Sequence, residues 1–189
     1  MISKEKLILK ILESEGGYVF DKDDSGKETY RGISRRFHPE WKGWKTVDLY
    51  KPLKTNQIIK STSLENEIIK FYDDNYYKAV KGDEIKDDMI RTHIFDMAIN
   101  AGIKTSIKIL QKSISDVYDI KIDVDGIIGK VTLSYTNNDD KLEDLRKQII
   151  IERENYYNSI VKQHPKNLKF LTGWLTRIKN TSDFVEKNK

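Results

Sequence analysis

The chain has 189 residues, no cysteine and three histidines, and its 34 Lys and Arg against 30 Asp and Glu leave a net charge of +4. That length supports one substantial core, or two lobes sharing one, and the absence of cysteine excludes a disulfide framework, a thiol nucleophile and a cysteine-held zinc site. The charge balance lacks the basic stripe of a nucleic-acid binder, and no apolar run approaches the roughly 20 residues of a membrane span.

Ser3 is placed to cap a first helix whose buried face carries Leu7, Ile8, Ile11 and Leu12. Lys and Glu interrupt this stretch, so it does not read as a signal peptide, and synthesis in the cytoplasm is expected. Glu15 falls where the helix should stop, a poor place for a carboxylate, because unpaired carbonyls there disfavour an anion by about 0.3–1 kcal/mol. At roughly 1.36 kcal/mol per pKa unit, that dipole alone does not lift a Glu from about 4.3 to the 6–7 useful for donating a proton. Burial against Leu12, Tyr18 and Val19 must supply the rest. Gly16 and Gly17 end the helix, Tyr18-Val19-Phe20 reads as a short strand, Asp23-Asp24-Ser25-Gly26 as a turn, and Glu28 to Ser34 as the returning strand of a hairpin. The hairpin would carry Asp24 and Thr29 toward Glu15. A protonated, partly buried carboxyl group facing an ionised, solvated one is the pair that glycosidic hydrolysis requires, and Asp24, among polar neighbours, fits the ionised role.

From Arg35 to Asn56 the aromatic residues and prolines predict an ordered loop with a short helix. Thr62-Ser63-Leu64-Glu65 has the pattern of a capping box opening a helix with Leu64, Ile68, Tyr72 and Tyr76 on one face. Ile90, Ile94, Met97, Ala98 and Ala101 mark a central buried helix ended by Gly102, with little charge expected in its core. Ile107, Leu110, Ile114 and Val117 mark another helix; Leu142, Leu145, Ile149, Tyr156 and Ile160 a long one; Leu171, Trp174, Leu175 and Ile178 a short last one. Asp96 and Asn100, one turn apart, either face a substrate groove or form a helix-stabilising polar pair. Tyr156, with Arg153 and Tyr157, lines either a sugar subsite or a core stripe. Asp123-Val124-Asp125-Gly126 begins like a calcium loop, but no Glu follows at the required distance, and the histidines are scattered. No metal or other cofactor is expected.

Glu15, eight residues, Asp24, four residues and Thr29, followed by Gly32-Ile33-Ser34, resembles the signature of glycoside hydrolase family 108, a branch of the lysozyme-like muramidases. Coliphage-type lysozymes have a similar Glu, Asp, Thr constellation with one more residue before the Thr. Pro39, Trp41, Gly43 and Trp44 resemble the family's Pro-x-Trp-x-Gly-Trp stretch, whereas Gly26-Lys27 stands where many relatives have a Gly-Gly pair. Phe95 to Gly102, Gln111, Asp123 to Thr132 and Gly173 to Arg177 resemble the predicted peptidoglycan-binding region that accompanies the catalytic one.

The resemblance implies a mainly α, lysozyme-like α+β globule with a small β-hairpin next to the catalytic helix. Residues 1–87 would form the catalytic lobe and 88–189 a helical peptidoglycan-binding lobe in the same globule, with the substrate groove between them. It implies an N-acetylmuramidase cleaving the β-1,4 bond between N-acetylmuramic acid and N-acetylglucosamine. Glu15 would protonate the leaving oxygen, Asp24 would stabilise the transition state or activate water, and Thr29 would orient that water. Tyr30, Asp96, Asn100 and Tyr156 would bind substrate. The alternative is a catalytically silent wall-binding or secretion-accessory protein that keeps the fold. The expected partner is the peptidoglycan glycan strand, met by a monomer that neither binds nucleic acid nor inserts stably in a membrane. A phage lysis setting would add a holin for release; an effector setting would add a secretion system and an immunity protein.

Overall fold

The computed structural model describes residues 1–13, 16–20 and 28–188, which divide into two compact units. Ser3–Asn75 form the first; Met1–Ile2 and the described residues from Tyr76 onward form the second.

In the first unit, α1 (Lys4–Leu12) begins as the sequence predicts, with Ser3 Oγ accepting the Lys6 N–H at 3.2 Å. Leu7, Ile8, Ile11 and Leu12 are its buried residues. The hairpin region holds three strands, β1 (Tyr18–Phe20), β2 (Glu28–Tyr30) and β3 (Ile33–Ser34), paired antiparallel in that order. The single returning strand expected from Glu28 to Ser34 is thus two. Arg31 (φ 50°) and Gly32 (φ 78°) are both left-handed, the requirement of a two-residue turn whose twist matches its strands, and Tyr30 and Ile33 pair across it.

Two further helices complete the unit, α2 (Gly43–Leu49) and α3 (Thr62–Tyr72). The side-chain cap of α3 is Ser61, one residue before the predicted one, accepting the Leu64 N–H at 3.3 Å. Leu64, Ile68, Phe71 and Tyr72 are its buried residues. The predicted stripe would continue at Tyr76, but residues Asp73–Tyr77 form a π-helical turn. Its wider spacing shifts the register by one, so Tyr77 is the fully buried ring and Tyr76 only half-buried.

The second unit is helical: α4 (Asp88–Ala101), α5 (Ile103–Tyr118), α6 (Lys130–Thr136), α7 (Leu142–Gln163) and α8 (Leu168–Glu186). Asp87 caps α4 by accepting the Ile90 N–H, and Gly102 ends it. Every residue from Met89 to Ala98 is buried, because α5, α7 and α8 pack around the helix. This corrects the expectation of a core with little charge: Arg91, His93 and Asp96 are enclosed with the apolar stripe. Arg91 and Asp88 also hold the chain start, where the Ile2 N–H donates to Asp88 Oδ2 at 2.9 Å and the Arg91 guanidinium donates to the Ile2 carbonyl at 2.7 Å. The last helix is not short. Its buried positions Ile178, Thr181 and Val185 extend the stripe past the predicted apolar cluster.

Candidate functional site

Glu15 and Asp24 lie outside the described residues, so the site is built from what flanks them. Gly16 has φ 63°, and Gly17 sits so close to a neighbouring segment that a Cβ there would lie 2.5 Å from the Gln57 carbonyl oxygen. That segment pairs with β1: the Tyr18 N–H donates to the Gln57 carbonyl at 3.0 Å, and the Asn56 N–H donates to the Tyr18 carbonyl at 2.7 Å. On the other side the Arg31 N–H donates to the Gly17 carbonyl at 3.2 Å. The Gly-Gly pair is therefore threaded between two backbones, a passage too narrow for a side chain at Gly17.

Thr29 is the middle residue of β2, paired with Val19 on one side and Ser34 on the other. It is half-buried, while its neighbours Glu28 and Tyr30, pointing to the opposite face, are buried. Glu28 was not anticipated as a site residue. Its carboxylate lies 2.6 Å from both the Arg35 guanidinium and Lys51 Nζ and accepts the Tyr18 hydroxyl at 3.0 Å. Arg35 and Lys51 also engage Asp48, whose carboxyl is held below its ordinary range chiefly by the Arg35 hydrogen bonds. Two acids and two bases thus clamp the strand that presents Thr29. No local spacing signals this, since the four residues spread over 24 positions (28 to 51) and meet only through the fold. Phe20, Glu28, Arg35 and Arg36 line a groove of about 570 Å³ in the same unit.

The residues expected to bind substrate are placed as follows. Tyr30 is 1% exposed, with its hydroxyl accepting the Ile59 N–H at 2.9 Å, and burial pushes its phenol pKa up. It serves the interior of the first unit. Asp96, 2% exposed, is the counter-ion of Arg153, 0% exposed, and its other oxygen accepts Arg177 Nε at 2.8 Å. Asn100 is exposed and donates to the Asp96 backbone carbonyl at 2.8 Å, the helix-stabilising arrangement. Arg153 also donates to His93 Nδ1 at 2.6 Å, which leaves the proton on Nε2 to donate to Ser182 Oγ at 3.0 Å. Burial, and then the Arg153 charge, hold the His93 pKa well below its ordinary value. Tyr157 is buried against Trp174 in stacked geometry, so of the proposed sugar-subsite trio only Tyr156 reaches a groove, one of about 580 Å³ between α5 and α7.

The Asp123–Gly126 segment is a side-chain-locked turn. Asp125 accepts the Ile127 N–H and Gln111 Nε2, both at 2.8 Å, and the Gly126 N–H donates to Gln111 Oε1 at 2.9 Å. Among the described residues, no three His, Asp or Glu side chains are grouped to hold a metal. The tryptophan motif is also architectural. A Cβ at Gly43 would overlap the Trp41 ring, which stands edge-on to Trp44 at 5.0 Å. The indole N–H groups donate to the Glu67 and His38 carbonyls.

The family model described as glycosyl hydrolase 108 matches residues 8–102, and a predicted peptidoglycan domain matches residues 105–179. Among solved structures the chain is similar to Brucella abortus SagA, with a TM-score of 0.65 and 22% identity over 97% of this chain and 94% of that one, a likeness of fold. No curated protein matches the sequence.

Proposed function

The chain belongs to the glycosyl hydrolase 108 family, and from that premise we propose that Glu15, Asp24 and Thr29 carry its chemistry. The protein is a peptidoglycan hydrolase, a lysozyme-like N-acetylmuramidase with a peptidoglycan-binding region in its second half. Glu15 protonates the oxygen leaving from the cleaved β-1,4 bond. Asp24 stays ionised and activates water, and the Thr29 hydroxyl holds that water in line. Carboxyl groups about 6.5–9.5 Å apart leave room for water and invert the anomeric centre, which is the outcome we assign. The observation that supports this reading is the Glu15, Asp24, Thr29 spacing inside the matched segment, with Thr29 half-exposed on a strand pinned by Glu28.

We assign residues 1–87 to cleavage and 88–189 to holding the wall polymer, in a monomer released by a holin or a secretion system. A zymogram on purified peptidoglycan tests the assignment of roles. Wild-type protein should clear the band, whereas Glu15→Gln and Asp24→Asn should lose at least the roughly 10²–10⁴ of general acid–base catalysis. A wild-type rate for Glu15→Gln would overturn the role given to Glu15, and a retained anomer the role given to Asp24 and Thr29.

A further inference from the structure

The groove between α5 and α7 has a composition that fits one part of peptidoglycan better than the other. Lys108, Ile109 and Lys112 face it from α5, and Glu152, Asn155 and Tyr156 from α7. Glu152 is more than nine-tenths buried, lies 2.7 Å from Lys112 Nζ and accepts Asn155 Nδ2 at 3.2 Å. That carboxylate anchors Lys112 at the groove wall. Lys108 is exposed, and no carboxylate among the described residues lies within ion-pair distance of it. Lys112 is offset by Glu152 and by the nearby Asp116, so the uncompensated positive charge of the groove is that of Lys108. Ile109 is buried and Tyr156 half-buried, giving an apolar floor.

A neutral glycan strand offers such a site hydroxyl and acetamido groups, which do little for an ammonium without a partner. The peptide stem offers carboxylates and methyl groups. We propose that this groove binds the peptide stem of peptidoglycan, with Lys108 taking a stem carboxylate and Ile109 and Tyr156 its methyl-bearing backbone. The inference rests on the reading that the chain acts on peptidoglycan, and all of the groove-lining residues fall within the matched segment 105–179.

The probe is a synthetic stem tetrapeptide with free carboxylates, titrated into the full-length protein and followed by calorimetry and by NMR shifts at Tyr156. It has no glycosidic bond, so binding is read apart from hydrolysis. Lys108→Glu should weaken it by about two- to tenfold, the scale of reversing a solvent-exposed charge contact, and added salt should weaken it further. Lys108→Arg should restore binding. On intact peptidoglycan Lys108→Glu should raise KM and leave kcat. Equal tetrapeptide affinity in wild type and Lys108→Glu would overturn the proposal. So would shifts at Tyr156 caused by a neutral N-acetylglucosamine oligomer and not by the peptide. Peptide binding without lysis of any substrate would support the groove and count against the muramidase reading alone.

Discussion

Asp96→Asn separates an interior counter-ion from a substrate ligand. The Asp96 carboxylate is 2% exposed and serves two guanidinium groups, Arg153 at one oxygen and Arg177 at the other. Arg153 has no exposure at all, and its other polar contacts, His93, which burial keeps neutral, and the Tyr157 hydroxyl, carry no negative charge. Replacing the carboxylate by an amide keeps the shape, removes the negative charge and points an N–H₂ group at one of the two cations. Removing one partner of a buried pair costs about 3–5 kcal/mol, because the other charge stays enclosed without compensation. For a chain of this size the melting temperature should fall by roughly 6–20 °C. The assay is thermal and urea unfolding of wild type and Asp96→Asn, beside lytic kinetics at a temperature where both are folded. KM should be unchanged in the folded fraction. A melting temperature within about 2 °C of wild type, together with a raised KM, would refute the reasoning and return Asp96 to the substrate.

Tyr30→Phe removes the acceptor of the Ile59 N–H, so stability should fall by about 1–3 kcal/mol while the folded enzyme keeps its turnover; a lost kcat at unchanged stability would contradict the interior role. Gly17→Ala should destabilise by about 1–3 kcal/mol or more in urea titration, since its Cβ meets backbone and not a flexible side chain. The His93 pKa is depressed in the folded state, so the unfolded chain takes up the proton first as pH falls below its ordinary value of 6.5. Wild-type stability should therefore decline below that pH by up to about 1.4 kcal/mol per pH unit from this group, and His93→Gln should flatten that part of the profile. An identical acid slope in both proteins would remove His93 from the account.

The helices were legible wherever one face alone is apolar: Leu7, Ile8, Ile11 and Leu12 announce α1, and Ile107, Leu110 and Ile114 announce α5. What the sequence concealed was non-local. Asp96 and Arg153 are 57 positions apart, and nothing in either neighbourhood says that two charges on buried faces will meet. Glu28 reads as a hydrophilic strand residue until Arg35, Asp48 and Lys51 close around it. The Arg31-Gly32 turn was hidden by its first residue, since Arg rarely adopts φ > 0. The π-helical turn was hidden because an inserted residue leaves the composition of a helix unchanged. In the candidate site, the strand carrying Thr29 was readable, whereas α1 stops at Leu12, before the Gly16-Gly17 pair expected to end it, and the clamp that steadies the strand was not readable.

The packing of Gly43 under Trp41 changes what kind of information the tryptophan motif carries. Trp41, Trp44, His38 and Phe71 interlock edge to edge, and Gly43 is the vacancy that lets them do so. Both indole N–H groups are spent on backbone carbonyls, so what the structure shows of the motif is assembly. On the roles we propose for Glu15, Asp24 and Thr29, assembly and competence are written in different stretches of the same chain.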